Sequence, residues 1–564
     1  MSSILLQPSN MRSHVLTHRL IWPGLLLLVA LIGAARFAYL NEQDYAWGMD
    51  GYYYAAQVNS FRTKGRFFSP DSSPVLHGMV LCSYIFDDIV QANKFCAALL
   101  AALAITPIFW LAWRATGQPI AGFFAALAIG ASWQFNVFTF EFVKNLGGIV
   151  GFLWVLAAGY DLLQSGTWKR VSCIALFPAL LLALSAHKLM AGATLLCLIA
   201  IGALYLLHAL YQRHNVFLKR HLLPLLVGLA LLSLAPLLAM LWLPNLLHPD
   251  DFQRFTGISL TDWQWAWWSY QKLDHPNWIV SGESLASIAL CGLSTIVWIR
   301  QGWQKLHHSR LPPEYFFWVV IPVLAFLAQF PLLPFQSYDF AYRLYLLLFI
   351  PGTLAVIYLW QRFGHRREHS SESSDSRPNH IFRRSAAARL VLVSGICALL
   401  IIWQVFTLRY VGRKHHVDYA RYDAVKNRLE ELELPPDALV IAHQGMDYFL
   451  CFHSDVDAFH FLPEAKHADR PVFRLVYGLR ESHRASLRPV PGPALLRSSS
   501  PKPPGLVPTP AINIDDAYVF LRESDWQQFL RGLPEQDRRI YHTWRNPYEA
   551  RPDYMRRNDR FKSD

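Results

Sequence analysis

Ionisable residues stand at the ends of several long apolar stretches, where a charge close to hydrocarbon is costly and therefore informative. Four loops carry them. In chain order they are Asp44 and Asp50 after the first stretch, Glu141 and Lys144 before the fourth, His187 and Lys188 between the fifth and sixth, and Asp339 and Arg343 before the tenth. Carboxylates beside three cations suit a phosphate-bearing substrate and a reaction that needs a base.

The acidic residues also have purely structural interpretations. Asp50, in WGMDGYYYAAQV, is placed to cap a helix that starts at Tyr52. Asp44 has the alternative of a solvated loop carboxylate. Glu141 and Lys144, in FTFEFVKNLGG, have the i, i+3 spacing of an ion pair on one helix face.

The remaining cations have structural alternatives as well. Lys188, next to His187 in LSAHKLMAG, can extend its ammonium group to the interface. Arg343, in SYDFAYRLYLLLFIP, can anchor a helix or pair with Asp339, four residues earlier. Against these alternatives, we predict that Lys144, His187, Lys188 and Arg343 bind a phosphate group.

The composition excludes an ordinary soluble protein. Of 564 residues, 53% are hydrophobic and 16% are charged, and the mean hydropathy is +0.21, whereas soluble domains average about 25% charged residues. Lys and Arg exceed Asp and Glu by 52 to 40. The cations concentrate in short loops between apolar stretches, which indicates membrane lipid and not nucleic acid as the partner of the excess charge.

Apolar runs long enough to cross a bilayer predict eleven transmembrane helices. The first run is too long for a signal peptide and lacks an A-x-A cleavage site, so we predict a retained helix. The runs span residues 18–40, 89–112, 119–138, 146–163, 171–187, 190–211, 222–244, 284–300, 315–333, 344–361 and 388–408.

The distribution of Lys and Arg between alternate loops predicts the orientation, because cationic loops stay cytoplasmic. Arginines and lysines near residues 12–19, 114, 169–170, 213–220 and 300–310 fall on the same side as the arginine-rich linker 362–386. The N-terminus is therefore predicted to be cytoplasmic. Loops 41–88 and 245–283 and the tail from 411 lie outside, which is the periplasm if the membrane is a bacterial inner membrane.

The sequence patterns of two predicted outer segments indicate their structures. The tail 411–564 is predicted to be a small α/β domain, because an apolar run at Ala438 to Ala442 is followed by Gly445 and an amphipathic stretch. The stretch from Asp262 to Trp278 carries five tryptophans, which predicts an interfacial helix at the level of the lipid headgroups. A lipid or sugar groove is its alternative.

Motifs for soluble active sites are absent. The sequence contains no P-loop, GxGxxG, GxSxG or HExxH, and its seven cysteines have no metal-ligand spacing or disulfide pattern. The chemistry is therefore expected within residues 1–410.

The combination of these features resembles the GT-C superfamily of integral membrane glycosyltransferases. The resemblance rests on a cytoplasmic N-terminus, the first outer loop with Asp50-Gly-Tyr-Tyr-Tyr, the motif Glu141-x-x-Lys144-Asn145, and Arg343 before a helix with Pro351. Members include protein O-mannosyltransferases, aminoarabinose transferases and oligosaccharyltransferase catalytic subunits. Their donors are sugars linked to polyprenyl phosphate.

The resemblance implies roles for individual residues. The first-loop acid that acts as base or orients the acceptor falls on Asp50, with Asp44 as second choice, and a further acid falls on Glu141. Lys144, Lys188 and Arg343 correspond to the phosphate-binding cations. The first loop lacks an Asp-Glu pair, and the second motif lacks Asp-x-Asp or Asp-x-Glu, so a divalent metal is left as an open alternative.

The sequence thus predicts a membrane glycosyltransferase that moves a sugar from a polyprenyl-phosphate donor to a hydroxyl or amine of a lipid, glycan or protein at the outer face. The main alternative is a polytopic transporter or flippase, which would show internal repeats and charges deep inside helices. A non-catalytic scaffold is a second alternative, but it would not need four converging polar loops.

Overall fold

A computed structural model provides the coordinates. It describes residues 8–69, 71, 73–165, 170–211, 278–305, 314–329, 338–364, 380–454, 456–459, 470–479, 481–491, 495 and 509–542. The predicted helix 222–244, most of the tryptophan-rich loop 245–283 and most of the linker 362–386 lie outside these residues.

The chain divides into two compact units. The helical unit comprises residues 1–43, 70–336 and 340–415, and the sheet unit comprises 44–69, 337–339 and 416–564. Residues 44–69, which are part of the first predicted outer loop, group with the tail, and the helical unit ends at residue 415. Aromatic packing is the reason: the ring of Tyr52 lies 4.7 Å from Tyr419 and 4.9 Å from Phe449.

Helices dominate the chain up to residue 414. They are α1 Pro8–Leu40, α2 Gly51–Lys64, α3 Pro74–Cys82, α4 Ile89–Thr116, α5 Pro119–Ala131, α6 Trp133–Phe140, α7 Val143–Ser165, α8 Arg170–Ala186, α9 Lys188–Tyr211, α10 Trp278–Lys305, α11 Tyr315–Gln329, α12 Tyr338–Tyr345, α13 Phe349–Gly364 and α14 His380–Lys414.

Six of the described helices are long and apolar enough to cross a membrane, and a bent helix pair adds a seventh. Three shorter apolar helices, within residues 176–186, 188–204 and 315–328, accompany them. The chain is thus a helical membrane protein, while the count of eleven spans stays a prediction. The six long candidates are Leu20–Leu40, Ile89–Thr116, Val143–Asp161, Gly282–Arg300, Tyr342–Phe363 and Ser394–Glu430.

The span predicted as one helix over 119–138 is broken. Helices α5 and α6 meet at Ser132 with a bend of 57°. The apolar periodicity runs through the break, so hydrophobicity alone predicted a continuous helix. Ser132 is extended, with ψ of 131°, and its hydroxyl accepts a hydrogen bond from the backbone N–H of Phe135. It therefore begins a new helix.

Helix α7 packs unusually close to its neighbours because it presents glycines to them. A Cβ at Gly151 would lie 2.5 Å from the backbone nitrogen of Ala183, and one at Gly148 would lie 2.7 Å from Met190. These positions require glycine, since a methyl group would collide with backbone or a buried side chain. The first turn of α7, which carries Lys144, is fixed by this packing.

The described part of the tail contains a sheet with helices. Its elements are α15 Tyr419–Glu430, β1 Leu439–Ile441, α16 Met446–His453, β2 Asp457–Phe459, β3 Val472–Tyr477, α17 Glu481–Arg484, β4 Leu487–Pro489, β5 Thr509–Asn513, β6 Tyr518–Arg522, α18 Glu523–Gly532 and α19 Glu535–His542.

The six strands form one mixed sheet in the order β2-β1-β3-β6-β5-β4. Strand β1 pairs in parallel with β2 and β3, and β6 runs antiparallel to both β3 and β5. The predicted strand at Ala438 to Ala442 is present as β1. Gly445 then adopts a φ of 97°, which favours glycine, and α16 follows.

Candidate functional site in the helical unit

Lys144 forms an ion pair with a residue that sequence reasoning did not select. Its Nζ lies 2.5 Å from Oδ2 of Asp71, and the two side chains are 22% and 18% exposed. Glu141 is the C-cap residue of α6, whereas Lys144 lies on α7. The shared helix face required for the predicted i, i+3 pair is therefore absent.

Glu141 binds a histidine from the distant end of the helical unit. Nδ1 of His415 lies 3.2 Å from Oε2 of Glu141, and the two side chains are 7% and 2% exposed. His415 follows the last residue of the long helix His380–Lys414. The contact connects the α6–α7 junction to the end of that helix, so Glu141 is placed to hold this junction.

His187 occupies the single-residue connection between two apolar helices, and three cations act on it. Arg343, Lys144 and Lys188 are close enough for their positive charges to act on the ring of His187. Nδ1 of His187 accepts a hydrogen bond of 3.1 Å from the N–H of Leu189, so the proton of the ring is on Nε2, which can donate a hydrogen bond to an anion.

Arg343 is oriented by an aromatic ring next to the second predicted motif. Its Cζ lies 4.1 Å from the ring centroid of Phe142, which is the residue after Glu141. A guanidinium over an aromatic face gains a favourable cation–π interaction. Arg343 lies in the short helix Tyr338–Tyr345, and the side chain of its predicted partner Asp339 lies outside the described residues.

Asp50 and Asp44 belong to the sheet unit. Asp50 stands at the predicted N-cap position of Gly51–Lys64, but its side chain makes no capping hydrogen bond. Its Oδ1 accepts a hydrogen bond of 3.4 Å from Nε2 of Gln444, and its negative charge contributes to a raised pKa of Tyr448, for which burial is the larger cause. Asp44 is exposed. The capping interpretation therefore explains the position of Asp50 and not the orientation of its carboxylate.

The helical unit thus brings the four predicted phosphate-binding residues close together. Arg343 lies over Phe142, two residues before Lys144, and α7 packs through Gly148 on Ala186, the residue before His187 and Lys188. Sequence reasoning missed Asp71 and His415. Asp71 lies in the polar run SPDSSP, where nothing but its position in the first outer loop marks it, and His415 is one of 22 histidines. Their contacts depend on packing between segments that are distant in sequence.

The arrangement can hold a phosphate group by charge-assisted hydrogen bonds. Among the described residues, no group of three or more His, Cys, Asp or Glu side chains is close enough to hold a metal ion. The carboxylates of Asp71 and Glu141 are each bonded to Lys144 or to His415.

Binding measurements can decide whether Lys144 binds phosphate or only stabilises the fold through its ion pair with Asp71. If Lys144 binds phosphate, Lys144→Ala should weaken binding of a polyprenyl phosphate about tenfold, the effect of losing roughly one charged hydrogen bond. Asp71→Asn, the matched variant, keeps the cation and should not weaken it. Binding is measured by native mass spectrometry in detergent. If both variants bind normally and lose only thermal stability, the pair is structural.

Comparison with known proteins supports the fold. No protein-family model matches the sequence, and no curated protein matches it. Among solved structures, ArnT from Cupriavidus metallidurans bound to undecaprenyl phosphate superposes with a TM-score of 0.51 and 14% identity, covering 88% of this chain and 97% of that chain. The same protein in the apo state gives 0.50 and 15% with the same coverage. At this sequence identity the two structures show a shared fold, and that fold agrees with the GT-C-like fold predicted from the sequence.

Proposed function

We propose that this chain is a membrane glycosyltransferase that transfers a sugar from a polyprenyl-phosphate donor to a hydroxyl or amine of a lipid, glycan or protein. The observation that carries the proposal is the packing that brings the predicted cations together. Arg343 lies 4.1 Å from the ring centroid of Phe142, two residues before Lys144, and a Cβ at Gly148 would lie 3.7 Å from Cβ of Ala186, the residue before His187 and Lys188. The ArnT neighbour with undecaprenyl phosphate supports the choice of donor.

The proposed phosphate-binding residues differ in what they offer a phosphate group. Lys144, Lys188 and Arg343 supply positive charge, and His187 supplies an N–H donor. In the donor, the anomeric carbon is bonded to a phosphate oxygen. When that bond breaks, negative charge accumulates on the departing polyprenyl phosphate, and fixed cations stabilise it. Stabilisation of the departing phosphate in this way requires no nucleotide.

On the acceptor side of the reaction, the attacking hydroxyl or amine must lose a proton as its oxygen or nitrogen bonds to the anomeric carbon. A carboxylate base accepts this proton. Asp50 is our first candidate, since its side chain is half-buried and does not cap its helix. Asp44 is the second. Glu141 is 2% exposed and bonded to His415, which suits positioning better than proton transfer. Direct attack inverts the anomeric centre.

The proposed orientation places this chemistry outside the cytoplasm. The N-terminus and the linker 362–386 are cytoplasmic and the tail 411–564 is periplasmic in a bacterial inner membrane, where the donor is a lipid-linked sugar and no nucleotide sugar is present.

Reporter fusions after Gln361 and Arg409 test this orientation. Alkaline phosphatase should be active after Arg409 and inactive after Gln361, and green fluorescent protein should show the opposite pattern, because the helix between them crosses the membrane once. The same location for both fusions would contradict the proposed topology.

The function itself is tested with the purified full chain and a panel of polyprenyl-phosphate sugars in detergent. Release of free polyprenyl phosphate that depends on Lys188 and Arg343 supports the proposal. Absence of release with every donor, with the wild-type protein folded, contradicts it.

A further inference from the structure

The break between α5 and α6 exposes polar backbone groups inside an apolar unit. The regular hydrogen-bond ladder stops at the end of Pro119–Ala131 and at the start of Trp133–Phe140, and of the groups left over there Ser132 satisfies only the carbonyl of Ile129 and the N–H of Phe135. Hydrocarbon supplies no water to satisfy the others. Side chains from other helices must therefore do so, and two of these side chains are ionisable.

Arg36, from the first helix, lies at the carboxyl end of α5. Its Nη2 donates hydrogen bonds of 2.6 Å to the carbonyl of Gly130 and 2.8 Å to Oδ1 of Asn136. The side chain is 0% exposed. The carboxyl end of a helix carries partial negative charge, so a cation here is favourable.

Glu283, from Trp278–Lys305, lies at the amino end of α6. Its Oε1 accepts a hydrogen bond of 2.6 Å from the hydroxyl of Ser132. Its Oε2 accepts from Nε1 of Trp403 at 2.9 Å and from the backbone N–H of Trp133 at 3.4 Å. The indole N–H of Trp403 and the backbone N–H of Trp133 can only donate, so Oε2 of Glu283 is the acceptor in both contacts. An anion at the amino end of a helix is favourable.

The cation of Arg36 thus lies at the carbonyl end of one half-helix, and the accepting carboxyl group of Glu283 lies at the N–H end of the other. Neither Arg36 nor Glu283 has a salt-bridge partner within the part of the chain that the structure describes. The hydroxyl of Thr407 adds a neutral contact, a hydrogen bond of 2.8 Å to the carbonyl of Ala131. In transporters, half-helix ends of this kind face bound ions or substrate; here side chains of the protein occupy both ends.

We propose that Arg36 and Glu283 are positioning residues that form a clamp: they hold α6 at its angle to α5 and thereby position Glu141 and the α6–α7 junction that Glu141 holds through His415. Helix α6 ends at Phe140, and Glu141 follows as its C-cap. Lys144 lies on α7, which packs through its own glycines. Removing the charged group of Arg36 or Glu283 should therefore displace Glu141 by more than it displaces the phosphate-binding cations. The inference rests on the proposed function.

The test compares Arg36→Gln, Glu283→Gln, the double variant and Arg36→Lys. Each single neutralisation should lower transfer roughly 10- to 100-fold, the effect of a displacement of about 1 Å in an active site. Affinity for undecaprenyl phosphate should change less than about threefold, because α6 does not carry the cations. Arg36→Lys should restore most activity, since both recorded hydrogen bonds of Arg36 come from one nitrogen.

Thr194→Val serves as the control. Thr194 is equally buried, but its hydroxyl bonds only to the carbonyl of Met190 in its own helix. Its transfer rate should match wild type. Unchanged transfer in Arg36→Gln and Glu283→Gln, or an equal loss in Thr194→Val, would overturn the positioning role.

Thermal stability separates this inference from the proposed function. If each charge acts on its own helix end, the two single losses of stability should add in the double variant. If the double variant recovers the stability lost by either single variant, the residues are a long-range ion pair and the clamp is overturned. A wild-type protein without transfer activity, but with additive losses, would instead contradict the function and retain the clamp.

Discussion

Asp50→Asn is expected to reduce sugar transfer by roughly 10² to 10⁴, the usual contribution of a general base, while the folded yield stays near wild type. Asparagine keeps the shape of the side chain and can still accept the hydrogen bond from Gln444, but it cannot take a proton from the acceptor. The rate is measured as polyprenyl phosphate released at saturating donor, and folding is followed by thermal denaturation in detergent.

The control for Asp50 is Asp88→Asn. Asp88 is also an acid of the first outer loop, and its side chain does cap a helix, accepting a hydrogen bond of 2.8 Å from the N–H of Val90. Asparagine caps about as well as aspartate, so this variant should keep full activity. Full activity in Asp50→Asn as well would move the base to Asp44 or Glu141, with Asp44→Asn and Glu141→Gln as the deciding variants.

Lys188→Ala and Arg343→Ala are each expected to weaken binding of undecaprenyl phosphate by roughly 1.5 to 3 kcal/mol, the range for hydrogen bonds to charged groups. That corresponds to at least about a tenfold rise in Kd. Both residues act on His187 and bring positive charge to one place. Titration followed by native mass spectrometry reports the affinity without requiring a sugar or an acceptor.

Lys64→Ala is the matched control for these cations. Lys64 is an exposed lysine in the last turn of the helix Gly51–Lys64, so its loss should not change the affinity. Unchanged affinity in both Lys188→Ala and Arg343→Ala would remove the phosphate site. Equal weakening in all three variants would indicate nonspecific attraction between a cationic surface and an anionic lipid.

Much of the helical unit follows from hydropathy, because length and apolarity are what hydrocarbon selects. The break at Ser132 does not. Residues 119–138 are apolar on both sides of it, and the reason the chain can bend there lies in Arg36 and Glu283, which are about 100 and 150 residues away along the chain. A local window cannot contain that information.

The candidate site also combines residues that the sequence reveals with residues that it does not. Lys144, His187, Lys188 and Arg343 stand out in the sequence because cations beside apolar helices are rare. Asp71, the partner of Lys144, and His415, the partner of Glu141, do not stand out, because each acquires its role only through a contact with a distant segment. The grouping of residues 44–69 with the tail was also hidden, since it depends on Tyr52 packing among aromatic rings.

The central claim is that this chain breaks the bond between a sugar and a polyprenyl phosphate. The most direct measurement uses the full chain in sealed proteoliposomes with a radiolabelled polyprenyl-phosphate sugar and acceptor lipids. We predict that label appears on an acceptor in equal amount to the polyprenyl phosphate released, and that Lys188→Ala with Arg343→Ala abolishes both. Movement of intact donor across the bilayer, with no polyprenyl phosphate released, would contradict the claim and identify a flippase.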